Sequence, residues 1–486
     1  MAHQDRIRFW VAELESVLKN AATSLPPRAS KPTLSDYPLL SCDYETLDSI
    51  VEVVTESLKL ESAGAIEDIL PCSSMQEGIL VSQARRPELY NYRAVWKLAS
   101  RTGLDGVDVS GIDRAIRTLI ARHQALRTFL VEMDLQDATF LQVVLKTVDA
   151  PVTWVQSKSV EELRALPVDI HGSEQLPYRF TLSEVSAAVY CVLDINHAII
   201  DGMSVQVLVN EMIQAYDNAS LPPAPLYSDF VGYLHQSSED EGIAYWQDQL
   251  GDMEPCHFQS LDASASPVFQ SLEFELDAQD NRQLRAFCAQ HDVTLANLIS
   301  AVWAVVLHTY AGKDGDQVCF GFLASGRDVP VDGAEAMVGP LIAMLIQTAT
   351  VEPSTTLLGL VKAMQEQFLS RLPHQHTSLA KIQQSLGLAG KPLFNTLVNL
   401  QRRIESGARS GTIIAEEQPG YDPNEVSLIC SLFRGVPGHY SLSAQHAYHS
   451  APLCETIHPT PPHPTPVFHP VSHFMDHITS RQDTNN

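Results

Sequence analysis

A chain of 486 residues, 45% hydrophobic and 19% charged, is globular rather than disordered and long enough to bury large cores. At roughly 100–200 residues per domain, such a length accommodates two to four domains or lobes. The formal net charge of −26 argues against nucleic acid or an anionic membrane as the main partner.

The opening, "MAHQDRIRFWVAELESVL", is not a signal peptide, because acids interrupt its apolar positions. Its spacing predicts an amphipathic helix over 6–20, with Ile7, Trp10, Leu14, Val17 and Leu18 on one face. "SLPPRASKPTLSDYPLL" reads as a linker. A second helix, about 45–60, leads into "IEDILPCSSMQEGIL". There Pro71 breaks the chain and Ser73 or Ser74 can cap a new helix. "YRAVWKLAS" alternates like a strand. "VDVSGIDRAIRTLIARHQALRTFLVEM" is a helix running into a strand. "YRFTLSE", "AAVYCVLDIN" and "SLEFELD" look like strands, as do parts of "DQVCFGFLASGRD", "VGPLIAMLIQTATV" and "FNTLVNLQ". "MSVQVLVNEMIQAYDN", "DNRQLRAFCAQHD", "LANLISAVWAVVLHTYAG" and "LLGLVKAMQEQFLSRL" look like helices. The longest apolar stretch, "LANLISAVWAVVL", is too short to span a bilayer, and Trp303 and Tyr310 on that helix are expected in a core.

The expected fold class is therefore α/β of the mixed, α+β kind, without the strict alternation of a doubly wound fold. The proline-bearing "ASLPPAPLYSDF" can separate two lobes of similar size. Eight cysteines, at 42, 72, 191, 256, 288, 319, 430 and 454, form no CxxC and no regular spacing. They point to a reducing compartment with no disulfide framework and no structural zinc. From Ile457 a Pro- and His-rich tail reads as disordered; its histidines match no metal-ligand spacing. The expected location is the cytoplasm.

The segment with most chemistry is "CVLDINHAIIDGMSVQVLVNEM". A β-branched apolar run ends at Asn196-His197, where a strand leaves its core. Near neutral pH an imidazole there is a usable base or hydrogen-bond acceptor. Asp201 follows across a turn and points back into the protein, where an anion needs a positive partner. Gly202 has no side chain, so a ligand or another backbone can come close. The helix that follows begins near Met203 or Ser204, and its N-terminal amides favour a developing negative charge. By spacing alone, HxxxDG also fits a core histidine followed by an ordinary Asp-Gly turn.

The neighbouring motifs bear on that choice. "NHAIIDG" resembles the HHxxxDG motif of condensation domains from nonribosomal peptide synthetases, with Asn196 in place of the first histidine. "LPCSSMQEGIL", "RHQALRTFL", "YSDFVGYL", "GFLASGRD" with "MVGPLIAMLIQT", "HQHTSLAKIQ" and "FNTLVNL" resemble the family's other motifs, in order, over roughly 64–450. The form is that of fungal synthetases. Epimerization domains are less similar, since "DGMSV" has Val205 where they carry tryptophan.

The resemblance implies two chloramphenicol-acetyltransferase-like lobes forming a V-shaped pseudo-dimer with a central tunnel. Residues 45–235 would be the N-terminal lobe carrying the motif, and 236–456 the C-terminal lobe. Residues 1–44 would be a helix and linker left from a preceding domain, and 457–486 the disordered tail. Phosphopantetheine arms of donor and acceptor carrier domains would enter the tunnel from opposite ends, and the chain itself would bind no cofactor and no metal. His197 would position or deprotonate the acceptor, and Gly202 would leave room for the pantetheine arm. Asn196 and Asp201 would be structural, with Asp201 paired to Arg122 or, second, Arg127. Arg327 would line the tunnel floor or brace a turn. His374 and His376 would be solvent-exposed or brace the lobes rather than catalyse, and Gln76 and Glu77 would cap or brace a helix rather than touch substrate.

Adenylation motifs and the serine-bearing carrier motif do not occur, so substrates would arrive on carriers in trans or within a larger synthetase. The expected assembly is a monomer free of nucleic acid and membrane. Three functions follow from the resemblance. One is amide formation between carrier-bound substrates. Another is a free-standing acyltransferase acting on a small soluble acceptor. The third is an inactive fragment that docks carriers.

Overall fold

The computed structural model describes residues 2–450, apart from 25–30, 103–105, 134–138, 169, 171, 173, 259–265, 276–277, 311–314, 389, 403–410, 425–427 and 435–439. The tail expected from 457 lies outside the described residues. The strands in chain order are β1 Ile66–Pro71, β2 Asn91–Ser100, β3 Thr128–Glu132, β4 Phe140–Leu145, β5 Val152–Gln156, β6 Tyr178–Val185 and β7 Ala188–Asn196. They continue with β8 Ser266–Glu275, β9 Gln317–Ala324, β10 Ala343–Thr350, β11 Thr396–Arg402, β12 Ile413–Tyr421, β13 Leu428–Arg434 and β14 Tyr440–Ser450.

Three sheets result. A small one runs β1-β4-β3, a five-stranded one β12-β2-β7-β6-β5, and a six-stranded one β10-β9-β11-β13-β14-β8. Helices Val109–Arg122 and Gly202–Tyr216 pack together beside the five-stranded sheet. Their apolar stripes (Ile112, Ile116 and Leu119; Leu208, Met212 and Ile213) join Leu98, Phe180, Leu193 and Ile195 in one core. Each such side chain contributes roughly 1.5–3 kcal/mol on full burial. A second core, with Trp246, Leu298, Phe320, Leu345 and Val361, lies on the six-stranded sheet. In a third cluster Leu70 and Val144 from the small sheet meet Tyr227, Phe230, Met337 and Leu341.

Several expectations change. The first helix runs Ala2–Ser24, but Ile7, Trp10, Leu14, Val17 and Leu18 are each more than half exposed. Its stripe is amphipathic as read, yet it is not buried among the described residues. Trp303 is only partly buried against the second core, and Tyr310 is 42% exposed, so the latter is not a core residue. Among the described residues no single helix is long and apolar enough to cross a membrane. Of the two serines that could cap the helix Ser74–Arg85, Ser73 does so, in a capping box with Gln76.

β12 was not legible as a strand, and it has the largest consequence. It follows β11 of the six-stranded sheet, pairs antiparallel with β2 of the other sheet, and is followed by β13, back in the first. Pro419 and Gly420 fall where the register shifts between Gln418 and Tyr421. A Cβ on Gly420 would lie 2.2 Å from the Arg93 carbonyl oxygen, so no side chain fits without moving a strand. Gly420→Ala is expected to destabilise by about 1–3 kcal/mol, read as a lower urea midpoint at unchanged slope. An unchanged midpoint would show that β12 lies farther from β2 than this 2.2 Å approach implies.

Candidate active site

β7 is buried along nearly its whole length and ends in register with the start of β2, Asn196 opposite Asn91. The turn after it is held from several sides. The Asn196 amide donates to Gln83 Oε1 (2.9 Å), and its Oδ1 accepts from Ala198 N (2.8 Å). Gln76, fully buried, donates to the Ala198 carbonyl (2.8 Å) and to Gln142 Oε1 (2.8 Å). Gln76 thus braces both its own helix and the turn. His197 N donates to the Tyr90 carbonyl (2.8 Å), and Tyr90 sits in the left-handed region at φ 58°.

The His197 side chain is 16% exposed and lies against the Tyr92 ring, centroids 5.6 Å apart. Nδ1 is 3.2 Å from the Ile200 carbonyl, and Nε2 is 3.1 Å from Asp422 Oδ1. Burial alone would push the imidazole pKa down. The Asp422 carboxylate, the Ile200 carbonyl and the more distant Asp201 outweigh it, and the net direction is up. Asp422 follows directly on β12, and sequence reasoning missed it. An aspartate 225 residues downstream, after a segment with no clear strand pattern, gave no signal.

Asp201 turns inward as the sequence suggests and is fully buried. It caps the helix Gly202–Tyr216, accepting from Ser204 N (2.7 Å). The Ser204 amide expected to meet a developing negative charge is therefore already engaged by a carboxylate.

The partner of Asp201 is neither Arg122 nor Arg127. It is Arg327, whose Nη2 lies 2.7 and 2.9 Å from the two carboxylate oxygens. Arg122 is bound to Glu211 (2.9 and 3.2 Å), and Arg127 to Glu67 and the Leu145 carbonyl. The reason is geometric. Arg122 ends a helix packed alongside Gly202–Tyr216, so it reaches the far part of that helix. Asp201 lies about 15 Å away along the axis, at 1.5 Å per residue.

Arg327 braces a turn rather than standing free. Its Nη1 donates to the carbonyls of Ala334 (2.7 Å) and Met337 (2.9 Å). Leu341 N donates to Asp201 Oδ2 (3.0 Å), and Gly339 N to Ser204 Oγ (3.1 Å). The segment 327–341 is thus clamped onto the first turn of the helix beside His197. Gly202 opens that helix, and a Cβ there would meet nothing within 4 Å, so the glycine borders open space.

His374 stacks on Tyr245 (centroids 4.0 Å), and His376 meets Phe230 edge-on (5.4 Å). Both brace, one of the two roles expected of them. Burial pushes the His376 pKa down to about 4. The folded protein then binds this proton less readily than the unfolded chain. Its stabilising share is complete above roughly pH 6.5 and is lost as pH falls towards 4, by up to about 1.4 kcal/mol per pH unit. His376→Phe is expected to flatten stability against pH in that window. An unchanged slope in urea titrations between those limits would count against a buried neutral imidazole.

Comparisons with known proteins agree on one family. The family model described as "Condensation domain" matches residues 66–426. The chain is 37% identical over 431 residues, 88% of its length, to nonribosomal peptide synthetase nlsA of Emericella nidulans. It is 34% identical over 443 residues, 90% of its length, to nonribosomal peptide synthetase 4 of Gibberella zeae. It spans 7% and 6% of the lengths of those relatives. Among solved structures, the condensation domain from Monacolin K polyketide synthase MokA aligns with TM-score 0.65 and 16% identity, over 79% of this chain and 93% of that one. The starter condensation domain of rhizomide synthetase RzmA, a mutant in complex with C8-CoA, aligns with TM-score 0.64 and 16% identity, over 78% and 89%.

Proposed function

Because this chain belongs to the condensation-domain family, we propose that it forms an amide bond between two carrier-tethered substrates in nonribosomal peptide synthesis. The acceptor amine attacks the donor thioester carbonyl; the C–N bond forms, the C–S bond breaks, and the donor's pantetheine thiol leaves. His197 holds the amine for attack and takes a proton from it. Asn196 and Asp201 fix the turn that carries it, and Gly202 leaves room for a pantetheine arm. Arg122 and Arg127 hold neighbouring elements.

The carrying observation is the placement of His197. It projects from the end of a buried strand, with Nδ1 fixed on a backbone carbonyl and Nε2 3.1 Å from the half-exposed Asp422 carboxylate. Aligning the two reactants can itself contribute several powers of ten in rate. A tunnel between a first lobe over 45–235 and a second over 236–456 belongs to the same proposal. It draws support from the two sheets, each with its own core. Donor and acceptor carrier domains are the proposed partners and supply the phosphopantetheine arms; no cofactor of the chain's own is invoked. We place the protein in the cytoplasm, as a monomer.

The test is a single-turnover assay with an aminoacyl-loaded donor carrier and a loaded acceptor carrier, read by intact-protein mass spectrometry. Mass transfer from donor to acceptor is the expected result. No transfer from folded protein over a broad set of loaded carriers would overturn the proposal.

A further inference from the structure

The two contacts of the His197 ring fix its protonation by hydrogen-bond logic. A backbone carbonyl only accepts, so Nδ1 carries a proton towards Ile200. Asp422, with 46% of its side chain exposed, presents a carboxylate that also only accepts, 3.1 Å from Nε2. A neutral ring would set the Nε2 lone pair against that oxygen. Both contacts are satisfied together only by an imidazolium. Such a ring cannot act as a base until its Nε2 proton has left.

The surrounding charges single out Asp422. From the loop before the helix Gly202–Tyr216 comes Asp201, already matched by Arg327. From β2 comes the Tyr92 phenol, whose pKa burial and the nearby Glu417 and Asp422 carboxylates raise. From the end of β12 comes Asp422. The crossing segment is also tied to the histidine through its backbone: Tyr90 N donates to the Pro423 carbonyl (2.7 Å), and the Tyr90 carbonyl accepts from His197 N (2.8 Å).

We propose that Asp422 pairs with His197 as an imidazolium between turnovers, and that an arriving acceptor ammonium takes the imidazolium's place on this carboxylate. This rests on the condensation reading and assigns the acceptor class, an amine that arrives protonated. The protons balance. When the ammonium seats on Asp422, the Nε2 proton departs to water and the ring becomes a base. Neutral Nε2 takes one proton from the ammonium, leaving an amine that attacks the thioester carbonyl. The C–N bond forms and the C–S bond breaks, and the expelled thiolate takes the second proton from nitrogen. An amide and a thiol result, and His197 is again an imidazolium facing Asp422. One proton has gone to solvent in the cycle.

The test reads the ring directly. The full chain is prepared with ¹⁵N-histidine, and the Nε2 signal of His197, identified by its loss in His197→Ala, is followed against pH. In Asp422→Asn the side-chain amide can donate to a bare Nε2, so the ring is expected to deprotonate at lower pH than in the parent protein. Saturating glycyl-pantetheine amide, which carries an ammonium, is expected to deprotonate Nε2 in the parent. Its N-acetyl counterpart is expected not to. In the transfer assay, Asp422→Asn is expected to raise KM for an amine acceptor by about tenfold, and for a matched hydroxyl acceptor far less. Identical titrations of parent and Asp422→Asn, or identical responses to the free and acetylated probes, would overturn the proposal. Failure of transfer in a protein that passes both titrations would count against the condensation reading alone.

Discussion

His197→Ala is expected to reduce single-turnover transfer by about a hundred- to ten-thousand-fold, the range spanned by losing a positioned acid–base group. The folded state should barely register the change. The side chain lies at the edge of the core; its contact with the Ile200 carbonyl is worth about 1 kcal/mol net, and its pairing with the half-exposed Asp422, screened by solvent, about 1–2 kcal/mol. Stability and turnover therefore separate at this position. The measurement pairs the transfer assay with a urea unfolding curve on the same preparation. Turnover within a few-fold of the parent would remove His197 from the chemistry. A large fall in the urea midpoint would instead make it a structural residue.

Asp201 should behave in the opposite way. Its carboxylate accepts from Arg327, Ser204 and Leu341, all within 3.0 Å. Asp201→Ala would leave a buried guanidinium without its counter-charge, which costs roughly 3–5 kcal/mol. Arg327→Ala should cost a similar amount for the converse reason. Because the two act as one unit, the double variant should cost much less than the sum. Arg122→Ala should add to Asp201→Ala without coupling, since Arg122 is committed to Glu211. Coupling of Asp201 to Arg122 rather than Arg327 in such a cycle would contradict the geometry. Activity should fall with stability in the Asp201 and Arg327 variants, because the segment they clamp lies beside His197.

These residues show where reading the sequence succeeds. The strand end, the inward acid and the glycine at the helix start are local features, set by a continuous apolar, β-branched run meeting a turn. The amphipathic stripe of Val109–Arg122 is equally legible, because spacing sets which face of a helix is apolar. What failed was choosing among distant partners. Arg122 was a reasonable counter-ion by motif, but Arg327 lies 126 residues beyond Asp201 and arrives on a loop. β12 failed for another reason. "IIAEEQPGY" contains two glutamates, a proline and a glycine, which weaken any strand pattern. An edge position tolerates all of them, and β12 is the edge of its sheet. The exposed apolar stripe of the first helix marks a limit of such reading. Periodicity shows that a helix has an apolar face, not that the face is covered.

β12 also fixes an order of events during synthesis. The ribosome delivers β2 more than 300 residues before the strand that borders it. Until residue 421 has emerged, β2 is an open, largely apolar edge of the kind that invites pairing with other chains. A pairing of such sequence separation is slow to find. The histidine's turn therefore exists early in the nascent chain, while the carboxylate that sets its charge comes late. A chain released before that point would carry a recognisable motif on a sheet still lacking its border strand.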